Sequence, residues 1–261
     1  MKKIWFYALS VLLIMASTSC KKEQEAEEVL TTVTDCEGNT YPVVKIGSQY
    51  WMAENLRCTK YDTNGLRSGE TLSTSTELTF EPYYTDGRDE ESEYSGGLTP
   101  EQRKRLGLLY NWAAAMGIPS GHTAEMQTLG FSGSVQGICP NGWHIPTRTE
   151  WVTLAEYVGG IYAGTYCEGK AEDLKSTSGW YEEIADFVRG TDKYGFCVLP
   201  AGSANGSNVF NVGYLGCFWT ATPDGKAQAY DSYFVPVGYC TYYMLYDKKS
   251  ALSVRCVKNI Q

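Results

Sequence analysis

Nine cysteines and two histidines carry most of the chemistry open to this 261-residue chain. Apart from Cys20 there are eight: Cys36, Cys58, Cys139, Cys167, Cys197, Cys217, Cys240 and Cys256. An even set of this kind builds disulfides in an oxidising compartment. No two are spaced Cys-x-x-Cys, and His122 and His144 are too few to complete zinc sites, so no metal is expected. Asp86, Asp89, Glu90, Glu91 and Glu93 supply carboxylate oxygens without the spacing of an EF-hand loop, and calcium is not expected either. His144, between Trp143 and Ile145, reads as a structural histidine bonded to backbone. No serine or carboxylate has the context of a nucleophile, and Glu182-Glu183 and Glu90-Glu91 read as solvated faces. No catalytic residue and no cofactor are assigned.

Binding chemistry is richer. Twenty tyrosines include Tyr214, Tyr230, Tyr233, Tyr239, Tyr242, Tyr243 and Tyr246 in the last quarter of the chain. Their rings suit sugar C–H faces and their hydroxyls suit water. Gly202 to Gly216 adds Asn and Ser side chains that can bond hydroxyls or a peptide. Asn205, Asn208, Tyr214, Tyr242 and Tyr243 are the candidate ligand contacts. The competing role for each aromatic is packing, and Trp143, Trp151 and Trp219 are expected in the core.

These residues need a frame. In Cys139 to Trp151, Pro140-Asn141-Gly142 is turn chemistry. A helix should follow, with Thr147 and Glu150 as a capping box, Trp151, Leu154, Ala155 and Val158 as its apolar face, and Gly159-Gly160 as its stop. Thr40 to Asn55 reads as a hairpin turning at Gly47-Ser48. Residues 62–99 read as a long surface excursion. A second capping box at Thr99 to Gln102 should start a helix carrying Leu106, Leu109, Tyr110 and Ala113 and stopping near Gly117. Short strands are expected at Phe196 to Leu199, Phe218 to Thr222, Tyr230 to Val237 and Ser253 to Val257. Together these predict an α+β domain with short antiparallel strands and two main helices.

The first residues address the chain. Lys2 and Lys3 precede an apolar run, Ile4 to Met15, too short to span a membrane and laid out like a secretory signal. Ala16 to Ser19 then lead to Cys20, an arrangement that resembles a bacterial lipoprotein signal, although Ser17 stands where Leu is usual. This divides the chain into a signal at 1–19, a lipidated Cys20 with an acidic tether at 20–34, and a body at 35–261. The acidic run after Cys20 resembles the surface-export signals of Bacteroidetes lipoproteins, which implies an exported, outer-membrane lipoprotein at the cell surface, held to the membrane by its lipid. The net charge of −8 and a pI near 4.9 argue against nucleic acid as a partner. With 43 % hydrophobic and 13 % aromatic residues, the body can fill a core and leave rings over.

Six blocks in order, YPVVKIGSQYWMAENL from Tyr41, LYNWAAAMG from Leu109, Cys139 to Trp151, GFCVLPAG from Gly195, FWTAT from Phe218 and SVRCVK from Ser253, resemble the Fibrobacter succinogenes major paralogous domain family of exported bacterial proteins. More distantly, the PTRTEW helix start and the terminal RCV strand are similar to the C-type lectin-like and formylglycine-generating enzyme superfamily. That likeness implies a compact disulfide-stapled domain with its N- and C-terminal strands together. It also implies a Cys139–Cys256 disulfide, a closure stabilising by roughly 4 to 5 kcal/mol in the chain-entropy account. The other six body cysteines are expected to be extra staples of unassigned pairing. Cys240 and Cys256 stand too far apart to match the copper-binding pair of the formylglycine-generating enzymes, so that activity is the last choice. A surface domain binding glycan or protein comes first, and a structural or adhesive part of a surface assembly second.

Overall fold

The computed structural model describes residues 30–62, 67–86, 100–122, 134–163, 166–168, 170–237, 239–242 and 244–260, without the side chains of 102, 162–169 and 238–243. The signal segment, Cys20, most of the tether, the acids at 89–93, Thr99 and Tyr243 lie outside the described residues.

The N-terminal hairpin forms as its alternation predicts. Strands β2 (Thr40–Ile46) and β3 (Gln49–Met52) pair in antiparallel register across Gly47-Ser48, with Ile46 opposite Gln49. Tyr41 and Val43 of β2 and Tyr50 and Met52 of β3 fill one core cluster, while Ile46 and Trp51 fill another. Strand β1 (Thr32–Thr34) adds to β2 as an edge, and the last strand, β16 (Val257–Asn259), adds to β3, completing a four-stranded sheet. The N-terminal hairpin and the final strand therefore lie together.

A twelve-stranded sheet holds the rest. Its order begins β4 (Ser73–Thr74), β5 (Tyr83–Thr85), β6 (Leu109–Asn111), β15 (Ala251–Ser253), β11 (Gly216–Asp224) and β12 (Gln228–Phe234). It continues with β13 (Tyr239–Tyr242), β8 (Tyr166–Glu168) and β7 (Ile161–Ala163). Strand β9 (Ser203–Asn205) branches from β15 and carries β10 (Asn208–Phe210), and β14 (Leu245–Asp247) pairs with β12. Cys217, Trp219 and Ala221 of β11 join the first core cluster and Phe218 joins the second, so this strand is buried on both faces.

This β-rich architecture, 34 % strand against 12 % helix, overturns the expected α+β, lectin-like arrangement with two main helices. The predicted second helix shows why. Helix α1 (Pro100–Leu106) stops at Gly107, whose φ is +70° and whose added Cβ would stand 2.5 Å from the Leu56 carbonyl oxygen. Leu109 and Tyr110, apolar at helical spacing, instead run as strand between β5 and β15. Asn111 then caps a one-turn helix, α2 (Trp112–Met116), its Oδ1 accepting from the Ala114 N–H at 3.0 Å. The surface excursion is also corrected, since β5 lies inside it and Tyr83 is buried. Phe196 to Leu199 is not a strand; Val198 makes an isolated bridge to Lys175.

Helix α3 (Arg148–Tyr157) follows its signals. Thr147 Oγ1 accepts from the Glu150 N–H at 3.2 Å, and Glu150 Oε2 accepts from the Thr147 N–H at 2.8 Å. Trp151 projects into the second cluster, 4.8 Å from Trp51 and 5.4 Å from Phe218 between ring centroids. Trp143 and Trp219 are buried as expected.

Residues 254–256 pass from one sheet to the other. The Leu56 N–H donates to the Val254 carbonyl and the Met52 N–H to the Cys256 carbonyl. Cys256 is joined to Cys139, 117 residues away, as the resemblance implies. Arg255 is fully buried between Phe196 and Phe218 and donates to the Phe196 and Cys197 carbonyls and to Asn55 Oδ1. Burial pulls its guanidinium down to about 10.

Candidate functional site

The Gly202 to Gly216 segment is a built structure. Asn205 and Asn208 are register partners across the two-residue loop Gly206-Ser207, with Gly206 at φ +59°. A Cβ on Gly206 would stand 2.5 Å from the Thr76 carbonyl, so the hairpin tip lies against residues 76 and 77. Gly202 is crossed just as closely, since a Cβ added there would stand 2.2 Å from the Phe210 carbonyl oxygen. After β10 the chain turns at Asn211, whose carbonyl accepts from the Tyr214 and Leu215 N–H groups.

That turn brings two rings together. The Tyr181 N–H donates to the Gly213 carbonyl at 2.8 Å, and the Tyr181 and Tyr214 rings stack with centroids 4.6 Å apart at 33°. Both tyrosines are half-buried; Asn211, which opens the turn, and Asn208 on β10 are exposed. Phe210 keeps 46 % of its surface exposed, an unusual cost for a large apolar side chain. Tyr181 and Tyr214 form an edge of two stacked phenols, and the preceding strand β10 carries an exposed phenyl ring and amide, groups whose chemistry suits an apolar face and hydroxyl groups.

The expected contacts divide. Asn205 and Asn208 share the hairpin, but Asn205 Oδ1 already accepts from Ser250 Oγ at 2.8 Å. Tyr214 belongs to the same edge. Tyr242 lies on β13, separated from β9 in the sheet by β15, β11 and β12. Its side chain, like Tyr243, is outside the described residues. Among the other late tyrosines, Tyr246 packs edge-on against Trp219 and bonds Ser203, Tyr230 lies under Arg148, and Tyr233 packs on the first cluster. Tyr181 was missed in the sequence because it stands more than thirty residues before its partner, outside any Tyr-rich run.

A second concavity was also missed. A cavity of about 350 Å³ is lined by Thr32, Thr40, Pro42, Glu54, Arg57, Glu101, Lys104 and Arg105. Its two arginines are already engaged. Arg57 bonds Glu54 at 3.1 Å and the Thr40 carbonyl at 2.9 Å and lies over Tyr41, while Arg105 lies 3.6 Å from Glu54. The only local signal was the i, i+3 pair Glu54–Arg57.

The histidine and the thiols complete the inventory. His144 Nε2 lies 2.7 Å from Glu150 Oε1, and its backbone forms a bridge with Val257. Both its ring and its main chain are thus engaged in holding α3 to the terminal strand. Cys36, Cys58, Cys197 and Cys217, expected as staples of unassigned pairing, carry free thiols in this structure. Cys197 accepts from Arg105 at 3.0 Å, and Cys217 is sealed in the core, where burial raises its thiol well above the ordinary range. The side chains of Cys167 and Cys240 are outside the described residues. Among the described residues no group of three His, Cys, Asp or Glu is placed to hold a metal ion, and no helix is long and apolar enough to cross a membrane.

No curated protein and no solved structure matches the chain. The family model of the Fibrobacter succinogenes major domain, by contrast, matches residues 44–258, from β2 through β16 and including both cysteines of the disulfide. The chain belongs to the Fibrobacter succinogenes major domain family.

Proposed function

We propose that this domain is a non-catalytic binding module of the cell envelope, tethered through an acylated Cys20 at the outer-membrane surface and recognising glycan. The observation that carries the reading is the Tyr181–Tyr214 ring pair, half-buried and stacked at 4.6 Å, at the turn that follows β10 with its exposed Asn208 and Phe210. Stacked rings offer a flat apolar face to sugar C–H groups, and the amides offer donors and acceptors to hydroxyls. The acidic surface charge suits neutral ligands better than polyanions.

The test is a broad glycan array probed with the soluble body, with and without calcium. Reproducible binding to one sugar class that falls about tenfold or more in Tyr181→Ala and Tyr214→Ala supports the reading. A clean negative in both conditions rejects it. A structural role in a surface assembly is the second reading. It is favoured by Ile161, 70 % exposed on β7 at the end of the large sheet, with Tyr157 57 % exposed on the preceding helix. Binding to an envelope protein that is lost in Ile161→Lys would select that reading.

A further inference from the structure

Two of the free thiols face each other. Cys36 Sγ and Cys58 Sγ are 3.8 Å apart across 22 residues of sequence, and both S–H groups point at one acceptor, the Lys60 carbonyl, at 3.2 and 3.0 Å. Cys36 is exposed, in the turn that follows β1, and Cys58 is buried in the extended segment that follows β3. The surrounding backbone is already fixed. Asp35 Oδ1 accepts from the Glu37 and Asn39 N–H groups, Asp35 Oδ2 accepts from the Tyr41 hydroxyl at 2.7 Å, and the Glu37 carboxylate accepts from the Thr59 N–H and hydroxyl. Bonding distance for two sulfurs is about 2.05 Å, so closure needs the thiols to swing together by side-chain rotation while both backbones stay in place.

A shared metal is the other use for paired thiols. The neighbouring carboxylates of Asp35 and Glu37 are taken up by the donors just named, and no third ligand joins the pair among the described residues. We infer that Cys36 and Cys58 are a second cross-link site of this domain, closed by thiol–disulfide exchange with an external organic disulfide such as oxidised glutathione. The exposed Cys36 thiolate attacks one donor sulfur, forms a mixed disulfide and expels the other donor half as a thiolate. The Cys58 thiolate then attacks Cys36 Sγ and expels the second half. One S–S bond breaks in the donor and one forms in the protein. The two electrons lost by the cysteine pair reduce the donor, and the two thiol protons end on the released donor thiols. Burial raises both thiols above their ordinary range, so closure is slow near neutral pH and quickens as pH rises.

The link would fix the turn after β1 to a segment rooted in the core, because the Cys58 carbonyl accepts from the buried Tyr110 hydroxyl at 2.8 Å. The described chain enters through β1, so the bond clamps the domain where its tether arrives.

The experiment incubates the purified full chain with oxidised glutathione, alkylates it natively, then denatures it and maps the peptides by mass. The expected result is a peptide pair joined through Cys36 and Cys58, lighter by two hydrogens than the reduced pair, and loss of native alkylation at Cys36. In Cys58→Ser, Cys36 should stay alkylatable or trapped as a glutathione mixed disulfide. In Cys36→Ser, a change at an exposed position, Cys58 should alkylate only after denaturation. Unchanged native alkylation of Cys36 after oxidation, or its recovery in a peptide joined to any other cysteine, would overturn the assignment.

Discussion

His144 Nε2 and Glu150 Oε1 lie 2.7 Å apart, and the same oxygen accepts from Asn259 Nδ2 at 2.7 Å. One carboxylate thus ties the start of α3 to β16. Burial by itself would raise the Glu150 carboxyl. The hydrogen bonds from His144 and the Thr147 N–H, the His144 charge and the bond from Asn259 outweigh it and hold the group at about 2.

The pH consequence has a definite sign. A carboxyl held below its ordinary 4.5 contributes stability that is complete above that pH and is lost as pH falls toward 2. Chemical denaturation between pH 2 and 7 should show this acid arm. In Glu150→Gln the arm should flatten, with stability at pH 7 lower by about 1 to 3 kcal/mol through the lost charged bonds.

Cys256→Ser removes the cross-link anchored in the segment that passes between the two sheets. The domain should lose about 4 to 5 kcal/mol by the chain-entropy account, read from the urea midpoint. Cys139, wholly buried, should then react with a thiol probe once the domain is unfolded. A variant whose Cys139 stayed blocked after denaturation without reductant would contradict the pairing.

Lys175 is buried with its ammonium donating to the carbonyls of Val188, Val235 and Pro236 at 2.6, 3.2 and 3.0 Å. Burial lowers it to about 8 from 10.5. Between those values the unfolded chain holds more protons than the folded one, so this group makes stability rise with pH. Lys175→Met should lower stability at pH 7 by about 1 to 3 kcal/mol, because three carbonyls lose their donor. The difference between wild type and variant should change between pH 8 and 10.5, measured by denaturation at matched ionic strength.

Gly107→Ala should be among the more damaging single-methyl changes. The site has φ +70°, and the new Cβ would meet Leu56 O at 2.5 Å and Asn55 O at 2.9 Å, both backbone. A loss above about 1 kcal/mol is expected from the left-handed conformation alone. A melting temperature unchanged from wild type would contradict the account of why α1 ends there.

The elements that could be read from the sequence are those whose signals are local. Gly47-Ser48 between alternating aromatic and β-branched residues gives β2 and β3, and Thr147 with Glu150 gives the start of α3. Leu109 and Tyr110 misled because, with Leu106 and Ala113, their spacing is helical, while their state is decided by pairing with Ser253 and Leu252, more than 140 residues later. The β9–β10 hairpin did carry a local signal, Gly206-Ser207 flanked by asparagines, hidden inside a run that reads as loop. Half of the ligand edge was legible for the same reason: Asn208 and Tyr214 are local to the Gly202 to Gly216 run, and Tyr181 reaches them only through the fold. Lys175 carries no sequence signal at all, since its three partners are main-chain carbonyls of other segments.

The passage of residues 254–256 between sheets also governs the order of assembly. Ala251–Ser253 supplies an interior strand to one sheet, and Val257–Asn259 completes the other. A chain emerging from its N-terminus cannot close either sheet until residues 251–259 are free. Folding is therefore withheld until those strands are made, with a long-range contact order that slows the search. The unfinished hairpin β2–β3 must wait with an open edge until β16 is made.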